Sequence, residues 1–147
     1  MKGDALKAFI VDDEQSAIDY LGDLLNEHRE IEIIGRYTDP VRAIGEIQMS
    51  MPDVLFLDVQ MPEKSGFDLI RDIRTESYHP TIIFTTAFDK FAIRAIKYAA
   101  FDYLVKPINP FELESTIQNL RNGDYQSNRV SNYSKLFSEL KVTCSIK

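Results

Sequence analysis

Short uninterrupted apolar runs alternate along the chain with segments whose apolar residues recur every three or four positions. Ala8, Phe9, Ile10 and Val11 form the first run, which stops at Asp12, Asp13 and Glu14. The period then changes: Ala17, Ile18, Leu21, Leu24 and Leu25 share one face of a 3.6-residue helix, with Asp19, Asp23 and Glu27 off that face. Ile31, Ile33 and Ile34 predict a second strand. Asp39 before Pro40 predicts a helix start, an N-cap followed by a first-turn proline, and Val41, Ile44, Ile47 and Gln48 carry that helix to an end near Met51 and Pro52. Val54, Leu55, Phe56 and Leu57, with β-branched and aromatic members, predict a third strand buried on both faces and ending on Asp58. Beyond the loop from Gln60 to Gly66, Phe67, Leu69, Ile70 and Ile73 mark the inner face of a third helix. Pro80 introduces a β-branched strand from Thr81 to Thr85. Asp89 opens a fourth helix with Phe91, Ala92, Ala95, Ile96 and Ala99 on one side. Phe101, Tyr103, Leu104 and Val105 predict a fifth strand stopping at Lys106 and Pro107. Asn109, Pro110 and Glu112, as N-cap, first-turn proline and third-position acid, open a fifth helix through Leu113, Ile117 and Leu120.

Five strands alternating with five helices imply a parallel sheet covered on both faces, a doubly wound α/β fold. From Asn122 to Ser134 the composition turns to Asn, Ser, Gly, Gln and Tyr, which reads as a linker. The runs KLFSEL and KVTCSI that follow are too short for a core of their own. The chain therefore divides into a main domain over residues 1–121 and a polar linker over 122–147 that begins a further module. There is no internal repeat.

At 147 residues the chain can bury a core without disulfides or metal. The single Cys144 cannot form an internal bridge, no apolar run approaches the roughly 18 residues of a membrane span, and the N-terminus lacks a signal-peptide pattern. A reducing, cytoplasmic location is expected, with no membrane partner. The net charge of −6 argues against nucleic acid as the partner of the main domain. Residues 1–121 hold 13 Lys and Arg against 21 Asp and Glu, whereas residues 122–147 hold four against two, so the tail alone is mildly basic.

Doubly wound sheets bind ligands outside the carboxyl ends of their strands, where strand order reverses. Asp12 and Asp13 end strand one, Asp58 strand three, Thr86 strand four and Lys106 strand five. A strand-end Asp alone is as readily a cap or turn residue. Three carboxylates at one edge, however, repel one another unless a divalent cation sits among them, and few hard oxygen ligands suit Mg²⁺. A hydroxyl and an ammonium opposite the acids complete a site for a transferring phosphoryl group.

FIVDDE, DVLFLDVQMPEKSGFDLI, IIFTTA and DYLVKP, in this order and spacing, resemble the receiver domain of two-component response regulators over about residues 6–121. The resemblance implies a flavodoxin-like (CheY-like) sheet of order 2-1-3-4-5. It implies that Asp58 is the phosphoacceptor, attacking a phosphohistidine on a partner sensor histidine kinase. Mg²⁺ would be ligated by Asp13, Asp58 and the main-chain carbonyl of Gln60, with Asp12 acting mostly through water. Lys106 would hold a phosphoryl oxygen, across a cis bond to Pro107. Thr86 would bond the phosphoryl group, and Tyr103 would swing inward as Thr86 moves. Such a domain catalyses its own phosphotransfer and dephosphorylation and is not a classical enzyme. In the family the face of helix four, strand five and helix five dimerises on phosphorylation. Here Lys90, Arg94 and Lys97 would meet Glu112, Glu114 and Asp102 of a second copy.

Blander roles stand beside these. Thr85 competes with Thr86 for the strand end, and Tyr103 could be a half-buried edge aromatic with its hydroxyl in water. Met49 and Met51 read as core filling. His28 and His79 read as surface residues. Three functions remain apart: a receiver controlling transcription, a stand-alone receiver acting through a partner protein, and a Mg²⁺-dependent phosphohydrolase with Asp58 as nucleophile. The last suffers because Val59, Gln60 and Met61 supply no second acid two residues on to act as general acid. The stretch AFDKFAIRAIKYAAFDYLVKP is similar to receivers joined to LytTR-type (LytR/AlgR-like) DNA-binding domains. That implies a truncated regulator touching DNA only through an effector beyond Lys147.

Overall fold

A computed structural model of the chain describes residues 5–87 and 100–123. It contains β1 (Leu6–Val11), α1 (Gln15–Leu25), β2 (Ile31–Tyr37), α2 (Pro40–Ser50), β3 (Val54–Asp58), α3 (Gly66–Ile73), β4 (Thr81–Thr86), β5 (Asp102–Val105) and α4 (Pro110–Asn122). The five strands form one parallel sheet in the order β2-β1-β3-β4-β5, as the resemblance implies. Helix α4 is the fifth helix of the sequence reading. The helix expected to open at Asp89 and the segment from Asp124 to Lys147 lie outside the described residues. Two compact units, Met1–Ile82 and Ile83–Lys147, divide the chain within β4.

In the first unit, β3 is the most deeply buried strand, with every residue from Val54 to Asp58 buried. It pairs with β1 in the register Ala8↔Val54 to Val11↔Leu57. Both strands are covered on two faces, which is why they read as continuous apolar runs. Right-handed crossovers from β1 to β2 and from β2 to β3 run in opposite directions along the sheet, so α1 takes one face and α2 and α3 the other. Helix α2 packs on α3 accordingly. The inner face of α3 (Phe67, Leu69, Ile70, Ile73) is buried as its spacing predicts, and deleting any one of these side chains to Ala would cost about 2–5 kcal/mol.

Several local expectations needed correction. Strand β2 runs on to Tyr37 because a register shift after Ala8 pairs Phe9 with Gly35 and leaves Ile34 exposed. The buried face of α2 is Pro40, Ala43 and Ile47, whereas Val41 points to solvent. Met49 and Met51 are not core. Met49 sits two residues beyond Ile47, about 200° around the helix, and is 84 % exposed; Met51 takes the left-handed C-cap at φ 49° and is also exposed. Met61, by contrast, is buried. His79 is exposed, and His28 is partly exposed with Nδ1 4.0 Å from Glu30.

The caps follow the sequence closely. The Asp39 side chain accepts from the Val41 N–H at 3.0 Å, and Asn109 accepts from the N–H groups of Phe111 (2.7 Å) and Glu112 (3.4 Å). Helix α3 carries a capping box: Ser65 Oγ accepts from the Asp68 N–H at 3.0 Å while the Asp68 carboxylate accepts from the Ser65 N–H at 3.2 Å.

In the second unit β4 and β5 pair from Ile83↔Asp102 to Thr86↔Val105, and α4 packs on β5 through Leu113, Thr116 and Ile117. Asp102 is fully buried. Its carboxylate accepts the Thr116 hydroxyl and, at 2.7 Å, the N–H of Tyr103. This removes Asp102 from the charged surface patch expected of it, because its side chain points under α4.

At the amino-terminal edge of the first unit, the Tyr78 hydroxyl donates to the Pro52 carbonyl at 2.6 Å. Burial, and secondarily the nearby Asp53 carboxylate, push this phenol well above its usual range. The folded chain therefore keeps a proton that an unfolded tyrosine releases near pH 10, so this contribution to stability is complete below about pH 10 and declines above it. Comparing denaturant midpoints between pH 8 and 11 should show a steeper alkaline loss for the wild type than for Tyr78→Phe. Parallel slopes would exclude Tyr78 as the source.

Candidate functional site at the carboxyl edge of the sheet

The register Val11↔Leu57 brings the residues that follow, Asp12 and Asp58, to one level at the carboxyl ends of neighbouring strands. Both are buried, at 3 % and 4 % exposure. Asp13, one residue on, faces solvent. One carboxylate oxygen from each of Asp12, Asp13 and Asp58 lies within 4.8 Å of the others. Strand β1 has β2 on one side and β3 on the other, so this edge is the point where strand order reverses.

Main-chain donors hold the two buried carboxylates. Asp12 Oδ1 accepts from the Glu14 N–H at 2.9 Å, and its own N–H donates to the Tyr37 carbonyl at 3.1 Å. Asp58 Oδ1 accepts from the Gln60 N–H at 3.3 Å. These bonds orient the oxygens, and the gathering of three acids suits a bound cation. The three acids offer hard oxygens gathered within 4.8 Å of one another, the donor type that Mg²⁺ takes. The residues fit the ion.

In the second unit, Thr86 and Lys106 come together on adjacent strand ends. Thr86 is the last residue of β4 and is completely buried, and its carbonyl accepts the Lys106 N–H at 2.7 Å. Thr85 is buried one step earlier, opposite Leu104. The Lys106–Pro107 bond is cis. Tyr103 pairs with Phe84 and is 1 % exposed, so it is not the half-wet edge aromatic considered as its alternative.

The sequence reading passed over Gly66. An added Cβ there would lie 2.5 Å from the Asp58 carbonyl oxygen, so only glycine allows α3 to begin this close to the end of β3. A glycine opening an amphipathic helix shortly after a strand-end acid was the available signal. The reading also missed the Asp102–Thr116 pair, which joins residues 14 apart and leaves no local pattern.

Residues 8–118 match the response regulator receiver domain family. The transcriptional regulatory protein BtsR of Escherichia coli K12 is 46 % identical over 116 residues, 79 % of this chain and 48 % of that protein. A response regulatory protein of Vibrio cholerae is 38 % identical over 131 residues, covering 89 % of this chain and 53 % of its own length. The chain thus spans about half the length of these curated relatives. Among solved structures, the response regulatory domain of mrkE from Klebsiella pneumoniae superposes with a TM-score of 0.74 at 32 % identity, over 80 % of this chain and 97 % of that domain. With the sheet order, the acidic edge and these likenesses in agreement, the chain belongs to the response regulator receiver domain family of two-component signalling.

Proposed function

We propose that this chain is a phosphorylation-controlled receiver that takes a phosphoryl group from a sensor histidine kinase onto Asp58. The observation that supports this most directly is the cluster of Asp12, Asp13 and Asp58 at the strand-reversal edge. An Asp58 carboxylate oxygen attacks the phosphorus of a phosphohistidine. The P–N bond breaks as the P–O bond forms, the imidazole departs with the electron pair and takes a proton, and an acyl phosphate remains on Asp58. Asp13, Asp58 and the Gln60 carbonyl would hold Mg²⁺, with Asp12 acting through water. When bound, the cation neutralises charge on the phosphoryl oxygens. Lys106 holds one of those oxygens and Thr86 donates its hydroxyl to another. Tyr103, already buried, follows Thr86 when it moves.

The output we propose is transcriptional, through a LytTR-type effector. Residues 1–121 form the receiver and 122–147 begin the connection. Support comes from the name of BtsR, a transcriptional regulatory protein of which the chain spans 48 %. DNA is then contacted only by the effector, and the site of action is the cytoplasm. Among the described residues no helix is long and apolar enough to cross a membrane. Phosphorylation biases a dimer through the helix opened at Asp89, β5 and α4. Glu112 and Glu114 of α4 are exposed as such a face requires, and Lys90, Arg94 and Lys97 lie outside the described residues. With Asp102 buried, the acidic half of the patch rests on the two glutamates.

Incubation with acetyl phosphate and Mg²⁺, followed by peptide mapping, should place the label on Asp58 and find none in Asp58→Asn. Retained labelling in that variant rules out Asp58 as the acceptor. Asp13→Ala should lose Mg²⁺-dependent labelling by at least about tenfold while its thermal midpoint stays level or rises, since a like charge has been removed; labelling at the wild-type rate would clear Asp13 of the metal role. In sedimentation, beryllofluoride with Mg²⁺ should shift the chain from monomer toward dimer, and Arg94→Glu should suppress the shift. A mass indifferent to the phosphoryl analogue would remove this face as the output surface.

A further inference from the structure

The loop between β3 and α3 is closed by a main-chain contact. The Gly66 N–H donates to the Val59 carbonyl at 2.8 Å. That carbonyl belongs to the Val59–Gln60 peptide, and the N–H at the other end of the same peptide donates to Asp58 Oδ1 at 3.3 Å. Because a peptide group is planar and its C–N bond does not rotate, fixing its oxygen fixes the direction of its N–H. Gly66 thus orients the hydrogen bond received by the Asp58 carboxylate, two bonds away and without touching it.

The glycine is what makes the contact possible. A Cβ at this position would stand 2.5 Å from the Asp58 main-chain oxygen, 3.3 Å from the Asp58 carbonyl carbon and 3.2 Å from Leu57 Cγ. The first two are backbone atoms of the strand and cannot swing aside as a flexible side chain would. Either α3 must retreat, breaking the bond to Val59, or the Asp58–Val59 peptide must turn and carry the next peptide with it. Retreat is resisted by the Ser65–Asp68 capping box, which ties the first turn of the helix to the end of the loop. The Asp68 carboxyl is held below its usual range, first by the N–H of Ser65 and also by Arg71.

We infer that Gly66 is a positioning residue for phosphoryl transfer: its missing side chain lets its N–H hold the Val59–Gln60 peptide, which in turn aims the Gln60 N–H at the Asp58 carboxylate. The inference rests on the reading of Asp58 as the phosphoacceptor. It extends the reacting constellation beyond its charged members to a residue without a side chain.

The test uses the full chain with acetyl phosphate at saturating Mg²⁺, measuring single-turnover labelling rates and thermal midpoints for wild type, Gly66→Ala and Ile73→Val. Ile73 is buried at the far end of α3 and serves as a stability-matched control. Gly66→Ala should be labelled at least about tenfold more slowly, as misplacement of a reacting group by a fraction of an ångström produces. Ile73→Val should lose a similar few degrees of thermal midpoint yet keep the wild-type rate. A second measurement stands apart from any variant's folding. In a Mg²⁺ titration of the ¹⁵N-labelled wild type, the Gln60 and Gly66 amides should shift with one midpoint. Wild-type labelling of Gly66→Ala, or a Gly66 amide that stays still while Gln60 moves, would overturn the positioning role. A wild type that takes no label would instead overturn the acceptor reading itself.

Discussion

Two carboxylates at the end of two adjacent, mainly apolar strands are the constraint around which the first unit is arranged. Moving an ion out of water costs several kcal/mol even after relaxation, and Asp12 and Asp58 are almost entirely removed from it. Hydrophobic burial along Val54–Leu57 and Ala8–Val11 is large enough to carry such a cost, at about 1.5–3 kcal/mol for each large side chain. It does not by itself say where the charges may sit. The parallel register does, because it brings both residues to the same open edge, where main-chain N–H groups from Glu14 and Gln60 point back at them. A site of this kind gathers like charges whose repulsion a bound cation relieves.

The loop after β3 follows from that constraint. A carboxylate that accepts from a main-chain donor is placed in part by the peptide that carries the donor, and here that peptide is held by the first residue of α3. The capping box, the close approach of Gly66 and the inner face of Phe67, Leu69 and Ile70 are consecutive parts of one support. Stability and function are therefore coupled along α3: the residues that seat the helix are also those that keep the acid edge in order.

The second unit solves a different problem. Asp102 and Thr116 form a buried polar contact between β5 and α4, with the buried Leu113 and Ile117 on either side of Thr116 along the helix. Leaving either partner buried without the other would cost about 1–3 kcal/mol, so the pair selects one seating of the helix on the strand where apolar contacts alone would tolerate several. The same carboxylate accepts the main-chain N–H of Tyr103, which ties that seating to the strand carrying both Tyr103 and Lys106.

How much of this was legible in the sequence depended on how local each cause is. The buried strands and the inner face of α3 were readable because a strand covered on both sides must be continuously apolar and a half-buried helix must repeat every three to four residues. The caps at Asp39 and Asn109 were readable for the same reason, since donor and acceptor lie within three residues. The order of the strands came from resemblance, because no local pattern states which strands are neighbours. Met49 and Met51 misled because apolar character does not reveal which way a side chain faces at a helix end, and the register shift that lengthened β2 depends on Gly35 meeting Phe9 across the sheet. Asp102 looked like a surface charge until α4 lay over it, with its partner Thr116 a full helix segment away. Composition and period determined the elements and the acids that end them; only the packing of strand against strand and helix against strand decided which of those acids share an edge and which one is buried, because both depend on atoms distant along the chain.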